Sequence, residues 1–487
     1  MESKYTNLLS PTRFRRSTTN ATSILLHAES DRGRLLFCPA FRRLQQKAQV
    51  FSLESNAAVR SRLTHSLEVS QMGRYISDKI SIGLIDRGLA TPEECAALTT
   101  FVETACLMHD IGNPPFGHFG EAAISHWFRV NGEQVIEASC NLAHHPDELE
   151  NSILKKMLAD FYEFDGNPQG IRVVTKLQRN SDAYGLNLTI TTIASYLKYN
   201  RMSGAPGDST KPFTKKCGYF STEAEMISKV REEFKYTQPQ RFPLAYIMEA
   251  ADDIAYCISD LEDSIEKGLV AKNNALQEIY ERWQIQGPYS DTSYDSINEI
   301  LDRAVCDINF TYTDFRTSLN RTLAEFSACQ YLSNHEEILS GSCIALIPED
   351  SSAGRILQTL KDYCREKVYR HEKVQMVELA GYRAIYGMLD QFKCLLEASE
   401  SRFSCAMKYK TKDKEGNPII IENKLLSIFP KNYKLVYEEH KEQLDKNDPN
   451  HTQLEWILRA HLVTDFISGM TDDFALKTYQ ILNGTKF

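Results

Sequence analysis

The residue types best suited to chemistry are His109 and Asp110, which are adjacent in the sequence. They follow the apolar residues Cys106-Leu107-Met108 and precede the turn-forming residues Gly112-Asn113-Pro114-Pro115. This pattern predicts a buried helix that ends in an imidazole and a carboxylate, with a turn that frees both side chains. Mixed nitrogen and oxygen donors suit Mn²⁺, Fe²⁺ or Mg²⁺. A His-Asp pair at a helix end is more often only a hydrogen bond, so a metal site requires further ligands.

A second candidate ligand is His65, at the start of a predicted helix whose buried face carries Val69, Met72 and Ile76. The spacing of these apolar residues turns the imidazole toward the protein interior. A single inward-facing histidine is more commonly a core residue. His65 therefore indicates a metal site only if other donors meet it.

Carboxylates also share one face of the helix predicted around Ile247 to Tyr256. Asp252, Tyr256 and Asp260 are spaced by four residues and form one stripe, which also carries Met248. Burying two carboxylates is costly unless a cation or hydrogen-bond donors compensate. A bound metal or ligand therefore accounts for the stripe better than chance.

A further pair, His118 and Glu121, follows the turn after Asp110. An imidazole and a carboxylate three residues apart on a helix are suited to proton transfer. The alternative interpretation is that His118 only caps a helix that begins near Gly117.

The elements that must position these residues are helices, and the sequence predicts a mainly α fold. Apolar residues recur every three or four positions, for example at Leu454, Leu458 and Leu462. One stretch departs from this period: residues 407–413 and 419–423 flank Lys414-Glu415-Gly416-Asn417-Pro418, which predicts a small β-hairpin. We find no internal repeat and expect residues 1–487 to form a single large helical body.

Composition excludes several classes of protein. The 487 residues are 42% hydrophobic and 25% charged, as in an ordinary globular protein. No apolar run approaches the roughly 18 residues of a membrane span, and no apolar stretch follows the basic N-terminus, so we expect a cytoplasmic protein. Its 12 cysteines form no CxxC pair, which favours reduced thiols. A net charge of −9 disfavours indiscriminate nucleic-acid binding but leaves room for local basic clusters.

The order His65, His109-Asp110, Asp252 resembles the H…HD…D signature of the HD superfamily, and the surrounding sequence is similar to the dGTP triphosphohydrolase family. The resemblance covers nearly the whole chain. The further motifs that carry it are Glu29-Ser30-Asp31-Arg32-Gly33-Arg34, Phe41 to Lys47 with Gln49-Val50-Phe51, Arg62 to Ser66, His109 to His118, Glu249 to Tyr256, and Ile467-Ser468-Gly469-Met470-Thr471-Asp472.

The resemblance implies a fold and a metal site. The fold is an HD-domain helical core within residues 60–265, elaborated by additional helices in residues 266–487 that complete the nucleotide pocket and the oligomer contacts. One divalent ion per subunit, Mn²⁺ or Mg²⁺, would be bound by His65, His109, Asp110 and Asp252. Asp253 is the rival for the last position, but it lies about 100° around the helix from Asp252. Only Asp252 is in line with Tyr256 and Asp260.

The resemblance also implies a catalytic pair, His118 and Glu121, and a substrate site. The implied phosphate contacts are Arg62, Asn113, Lys198, Tyr199 and Lys216. Gln49 and Asp260 would contact the sugar 3′-hydroxyl, with Val50 beside Gln49. Tyr256 would exclude a ribose 2′-hydroxyl, and Glu378 would accept hydrogen bonds from guanine.

The implied reaction is metal-dependent hydrolysis of dGTP to deoxyguanosine and inorganic triphosphate. Three alternatives remain open at this point. The enzyme could be a broad dNTP triphosphohydrolase activated by a nucleotide bound elsewhere, or an HD phosphodiesterase or nucleotidase. The third is a nucleic-acid-binding helical scaffold with a vestigial HD site.

Partners beyond the nucleotide follow only from the resemblance. It implies a homohexamer, and it allows single-stranded DNA as a regulator. Two basic segments, Thr12 to Arg16 and Lys408 to Lys414, are candidates for that contact, although solvated charge is the simpler interpretation of each.

Overall fold

The computed structural model describes residues 3–17, 21–54, 56–141, 153–179, 185–287 and 289–485. Helices dominate these ranges, which confirms the prediction of a mainly α fold. The first helices are α1 Lys4–Leu8, α2 Ile24–Leu36, α3 Pro39–Arg43, α4 Arg62–Asp86, α5 Pro92–Met108, α6 Gly117–Cys140, α7 Ile153–Tyr162, α8 Gly166–Arg172, α9 Ile190–Tyr196 and α10 Ala224–Glu233. The remaining helices are α11 Pro243–Glu266, α12 Lys272–Ile285, α13 Tyr294–Cys306, α14 Tyr312–Ser333, α15 His335–Ser340, α16 Ser352–Lys367, α17 Glu372–Glu397, α18 Glu400–Met407, α19 Ile420–Ser427, α20 Lys431–Gln443, α21 His451–Ser468 and α22 Asp472–Leu482.

Three helices, α4, α5 and α11, pack against one another and carry most of the candidate ligands. Gly73 of α4 is where they approach closely. A Cβ added to Gly73 would lie 2.6 Å from Cys106 Sγ of α5 and 3.7 Å from the Cβ of Ala251 of α11. Gly73 follows His65 on α4, while Cys106 and Ala251 are close in sequence to His109 and Asp252. The close packing therefore brings the three candidate ligand positions together.

Helix ends fix where the functional residues fall. Ser61 caps α4 in a capping box with Thr64, so Arg62 and His65 lie in its first turn. Helix α5 ends at Met108, with His109 as its C-cap residue. Helix α6 starts after Phe116, whose backbone is left-handed with φ of 62°. A buried apolar cluster that extends from Tyr5 to Ala475 supports these ends.

β-Structure is sparse in the described residues. Strands β1 (Arg201–Met202) and β2 (Cys217–Tyr219) form a two-stranded parallel sheet with an irregular register. The predicted hairpin between residues 407 and 423 is reduced to one isolated antiparallel bridge, Lys412 with Pro418. Residues on either side belong to α18 and α19. The backbone N–H of Asp413 donates to the carbonyl of Asn417 at 2.9 Å and that of Ile419 donates to the carbonyl of Thr411 at 3.2 Å. Because α19 begins at Ile420, directly after this bridge, the ladder does not extend.

In the described part of the chain, every helix is too short or too polar to cross a membrane.

Candidate active site

The side chains of His65, His109, Asp110 and Asp252, here called the metal cluster, converge on one point. Asp252 Oδ1 lies 3.5 Å from His65 Nε2 and 3.5 Å from His109 Nε2. His109 Nε2 lies 3.6 Å from Asp110 Oδ2. The donor atoms of His65, His109 and Asp110 all lie within 4.8 Å of one another. Residues far apart in the sequence thus form a compact set of nitrogen and oxygen donors.

The hydrogen bonds of the two histidines test whether this set fits a cation. His65 is fully buried, and neither of its ring nitrogens has a hydrogen-bond partner among the described residues. His109 Nδ1 lies 2.7 Å from the carbonyl oxygen of Cys106, to which it donates, so its Nε2 lone pair faces the cluster. Buried polar atoms without partners are costly. The donors therefore fit a divalent ion, which would satisfy the lone pairs that protein contacts leave open.

Both carboxylates of the cluster are held in the ionised form. Burial opposes ionisation of Asp110, but the Arg62 guanidinium, whose Nη1 lies 2.6 Å from Asp110 Oδ2, lowers the pKa of Asp110 to about 2. Burial likewise opposes ionisation of Asp252, yet Lys198, with Nζ 3.2 Å from Asp252 Oδ2, holds the pKa of that carboxyl well below its usual range. Anionic oxygen donors are the form that a metal ion requires.

Asp253 also lines the cavity, but its carboxylate pairs with a lysine. Its carboxylate accepts a hydrogen bond from Lys361 Nζ at 3.0 Å, and its side chain is 39% exposed. Asp252 is the aspartate with an oxygen 3.5 Å from each of the two imidazoles, and its choice over Asp253 as a ligand stays a prediction.

His118 and Glu121 form a hydrogen-bonded pair on the first turns of α6. His118 Nδ1 lies 2.6 Å from Glu121 Oε2, while the other carboxylate oxygen accepts the backbone N–H of Gly166 at 2.8 Å. The His118 side chain is 81% exposed and Glu121 is nearly buried. The bond to Glu121 raises the pKa of His118. The pair thus presents an oriented imidazole whose protonated form is stabilised by Glu121.

A cavity of about 690 Å³ adjoins both groups. It is large enough for a nucleotide. The predicted site residues that line it are Gln49, Val50, Arg62, His109, Asp110, Asn113, His118, Glu121, Lys198, Tyr199, Lys216, Asp252, Tyr256 and Glu378. His65 and Asp260 do not line the cavity.

The cations on the cavity wall each contact a carboxylate. Besides the Arg62–Asp110 and Lys198–Asp252 pairs, Lys216 Nζ lies 2.8 Å from Asp165 Oδ2. Lys216 lines the cavity, whereas the neighbouring Lys215 does not. Asn113 Nδ2 donates to Asp110 Oδ1 at 2.5 Å. A bound polyphosphate would find these cations concentrated around one space.

Tyr256, Tyr369 and Asp260, here called the tyrosine cluster, form a second polar group. Tyr256 Oη lies 2.8 Å from Tyr369 Oη, and Tyr369 donates to Asp260 Oδ2. Asp260 lies behind these rings, and burial raises its pKa to about 7. Its Oδ1 and Gln49 Oε1 are buried without hydrogen-bond partners among the described residues. Glu378 lines the same cavity, and its pKa is raised, chiefly by burial.

Sequence reasoning missed several residues on the cavity wall. Tyr369 and Lys361 come from the end of α16 and the turn after it, and Phe116 precedes α6. Tyr369 and Lys361 lack a local signal, because an isolated tyrosine or lysine in a helical region has no special spacing. Phe116 stood inside the His109 to His118 motif and could have been singled out from it.

Comparison with family models identifies the class of protein to which this fold and site belong. A family model described as HD domain matches residues 62–194, which include His65, His109, Asp110, His118 and Glu121.

Comparison with individual proteins gives the family. The chain is 38% identical over 486 residues to the deoxyguanosinetriphosphate triphosphohydrolase of Enterobacter sp. (strain 638), covering 94% of each chain. It is 38% identical over 492 residues to the protein of that name from Salmonella typhi and 37% identical over 485 residues to the one from Klebsiella pneumoniae (strain 342), again covering 94% of each chain. The chain belongs to the deoxyguanosinetriphosphate triphosphohydrolase family.

Proposed function

We propose that this protein hydrolyses dGTP to deoxyguanosine and inorganic triphosphate in a metal-dependent reaction. The observation that carries the proposal is the metal cluster beside a nucleotide-sized cavity that also contains the His118–Glu121 pair and the cations Arg62, Lys198 and Lys216. The activity named for the relatives agrees with this chemistry.

One divalent ion per subunit, Mn²⁺ or Mg²⁺, would be held by His65, His109, Asp110 and Asp252. When bound, such an ion supplies Lewis-acid polarisation of a phosphate and lowers the pKa of a bound water. Of these two ions, Mg²⁺ is bound in proteins mainly by oxygen ligands, so the two imidazole nitrogens favour Mn²⁺.

The phosphate-binding residues act on charge and position. Arg62, Lys198 and Lys216 would exchange part of their carboxylate contacts for phosphate oxygens and so neutralise the triphosphate. Asn113 and Tyr199 would add hydrogen bonds. Holding the α-phosphorus for in-line attack by water is the main contribution of these contacts.

His118 would supply the proton that the leaving group needs. Attack of water at the α-phosphorus breaks its bond to the nucleoside 5′-oxygen, and this oxygen must then be protonated. His118 holds one proton on Nδ1 toward Glu121 and presents Nε2 to the cavity. The hydrogen bond to Glu121 raises the pKa of His118, which favours the protonated ring that a general acid needs, and Glu121 keeps the ring oriented.

The sugar and base contacts complete the proposal. Gln49 and Asp260 would bind the 3′-hydroxyl, since Gln49 Oε1 and Asp260 Oδ1 are buried without a hydrogen-bond partner among the described residues. Val50 lines the cavity and would lie against the sugar. Tyr256 would exclude a 2′-hydroxyl. Glu378 would accept hydrogen bonds from guanine N1 and N2.

Product identification tests the proposal. Purified protein is incubated with Mn²⁺ and each of the four dNTPs, singly and mixed, and the products are separated by ion-exchange chromatography. When dGTP is assayed singly, we expect deoxyguanosine and triphosphate as the products. Release of phosphate or pyrophosphate would indicate a phosphodiesterase or nucleotidase, and turnover only in the mixture would indicate a nucleotide-activated dNTP triphosphohydrolase.

Single-stranded DNA is the proposed regulator, bound at Lys408 to Lys414. In this segment Tyr409 is 55% exposed between Lys408 and Lys410. An exposed aromatic ring between two lysine side chains suits stacking on a nucleobase and contact with phosphates. The other basic segment is less suitable, because Arg13 is buried in an ion pair with Asp31 at 2.5 Å. Fluorescence anisotropy of labelled oligo-dT, measured at several salt concentrations, tests the proposal. We expect salt-dependent binding to the wild type and loss of this binding in the double variant Lys408→Glu, Lys410→Glu.

We also propose a homohexamer in the cytoplasm, with residues 60–265 as the HD core. Residues 266–487 complete the nucleotide pocket in this proposal, supported by Lys361, Tyr369 and Glu378 on its wall. Twelve free cysteines are compatible with a reducing compartment. Light scattering after gel filtration measures the subunit number.

A further inference from the structure

The motif Ile467 to Asp472 near the end of the chain lies outside the cavity wall, yet it reaches the segments that form the cavity. It spans the end of α21 and the start of α22. Two buried contacts start from it, one through Asp472 and one through the carbonyl of Ser468.

Asp472 joins two active-site segments through its carboxylate. Oδ2 accepts the backbone N–H of Ala48 at 3.0 Å, and Oδ1 accepts the backbone N–H of Phe116 at 3.1 Å. Ala48 directly precedes Gln49 and Val50, and Phe116 precedes the helix that carries the catalytic pair. Asp472 is nearly buried in the first turn of α22, where the helix dipole favours a negative charge.

The contact to Phe116 holds an unfavourable backbone conformation. Phe116 has φ of 62°, a left-handed conformation that is unfavourable for a residue other than glycine. Its ring packs against Gly381 of α17, where an added Cβ would lie 2.3 Å from Phe116 Cγ. The backbone is therefore fixed by Asp472 and the ring by α17, which also carries Glu378. The direction in which α6 leaves this point determines where His118 lies.

Lys47 ties the same segments from the other side. Its buried Nζ donates to the carbonyl of Ser468 at 2.8 Å and also to the carbonyl of Asn113. Its own carbonyl accepts the N–H of Arg62 at 2.8 Å, and Ala48 forms an isolated bridge with Ser61, the cap of α4. The segment around residue 48, the turn after Asp110 and the start of α4 are thus held together.

We propose that Asp472 is a positioning residue, which with Lys47 sets the orientation of His118 and of the Gln49 segment from outside the cavity. Asp472 touches no part of the proposed substrate space and acts through the backbone of Ala48 and Phe116. This inference rests on the proposed function, because the orientation of His118 and of the Gln49 segment affects turnover only if the protein hydrolyses dGTP.

The test compares Asp472→Asn with the matched control Asp473→Asn. The amide keeps the size of the side chain but can accept only one of the two N–H groups. Asp473 stands in the same helical turn, is 62% exposed and pairs only with Lys477 within the described structure. We expect Asp472→Asn to lower kcat for dGTP by about 10- to 100-fold with a smaller change in KM, and Asp473→Asn to leave both unchanged.

Two readouts separate positioning from general damage. Hydrogen exchange followed by mass spectrometry should quicken in Asp472→Asn for peptides covering residues 47–52 and 113–119, while Mn²⁺ binding stays within twofold because no metal-cluster residue touches Asp472. In a double-mutant cycle, Asp472→Asn should cost little further kcat in a His118→Ala background.

The outcomes are distinguishable. If the wild type releases no triphosphate from dGTP, the proposed function fails, and the exchange data still decide whether Asp472 holds the two segments. If the wild type is active, an unchanged kcat in Asp472→Asn, or a full additive loss with His118→Ala, overturns the proposal. If Asp472→Asn does not fold, Lys47→Met replaces it in the same assays, and failure of both variants to fold makes the residues structural and overturns the proposal.

Discussion

The metal cluster and the tyrosine cluster are both polar groups on or beside one cavity, but they satisfy their hydrogen bonds differently. In the metal cluster, His65 has no hydrogen-bond partner in the part of the chain that the structure describes, and Asp252 Oδ1 lies 3.5 Å from each of two imidazoles. In the tyrosine cluster, Tyr256, Tyr369 and Asp260 bond to one another.

The difference indicates what each cluster needs from a ligand. The metal cluster brings imidazole nitrogens and carboxylate oxygens together around one space, an arrangement suited to a cation. In the tyrosine cluster the hydroxyls are already bonded, and Asp260 Oδ1 is the oxygen that lacks a partner among the described residues, so a sugar hydroxyl would add one hydrogen bond to a group that is otherwise satisfied. We therefore expect substitutions in the metal cluster to abolish chemistry and those in the tyrosine cluster to change selectivity.

The largest expected effect is that of Asp252→Asn. Loss of a ligand should lower triphosphate release by about 10³-fold or more, since a bound metal contributes several kcal/mol to the transition state. Asp253→Asn, one residue away, should lower it far less. Mn²⁺ should raise the thermal unfolding midpoint of the wild type and of Asp253→Asn but not of Asp252→Asn; the reverse pattern would overturn the ligand assignment.

His118→Ala should lower kcat by about 10²- to 10⁴-fold, the usual range for loss of a general acid, while Mn²⁺ binding remains. His126→Ala is the matched control, since His126 lies on the same helix and contacts Tyr382 instead of the cavity. Near-normal turnover in His118→Ala would refute the assigned role.

Tyr256→Ala should admit GTP, because a steric contact with the 2′-hydroxyl is removed. The ratio of kcat/KM for GTP to kcat/KM for dGTP should be roughly tenfold or more higher in this variant than in the wild type. Tyr369→Phe retains the ring and removes only the hydroxyl, so it should continue to reject GTP. Equal discrimination by the wild type and Tyr256→Ala would make Tyr256 a purely structural residue.

The smallest effect concerns stability and pH. Because burial raises the pKa of Asp260 to about 7, the folded protein retains a proton that the unfolded chain releases near pH 3.9. Between these values the free energy of unfolding should fall as pH rises, by at most about 1.4 kcal/mol per pH unit. Denaturant unfolding at pH 5, 6 and 8 should show this slope in the wild type and not in Asp260→Asn; parallel curves would contradict it.

The sequence predicted the helical fold and the cluster of His65, His109, Asp110 and Asp252, because helical periodicity is local and the ligand motifs have a fixed order. It did not predict Tyr369 or Lys361, since their places on the cavity wall depend on how α16 packs against α11. Asp260 was expected to face the substrate from the same stripe as Asp252. Tyr369, from a distant part of the chain, bonds to it, and sequence spacing gives no sign of this.

The predicted hairpin illustrates the same limit. Residues 407–423 had the alternation of strands, yet α18 and α19 take the ends of the segment and leave the single bridge at Lys412 and Pro418.

Anomalous diffraction from crystals grown with Mn²⁺ tests the central claim most directly. We predict one peak per subunit, within about 2.0–2.3 Å of His65 Nε2, His109 Nε2 and a carboxylate oxygen each of Asp110 and Asp252. A peak on Asp253 or elsewhere, or no peak beside His65, would contradict the metal site on which the proposed reaction depends.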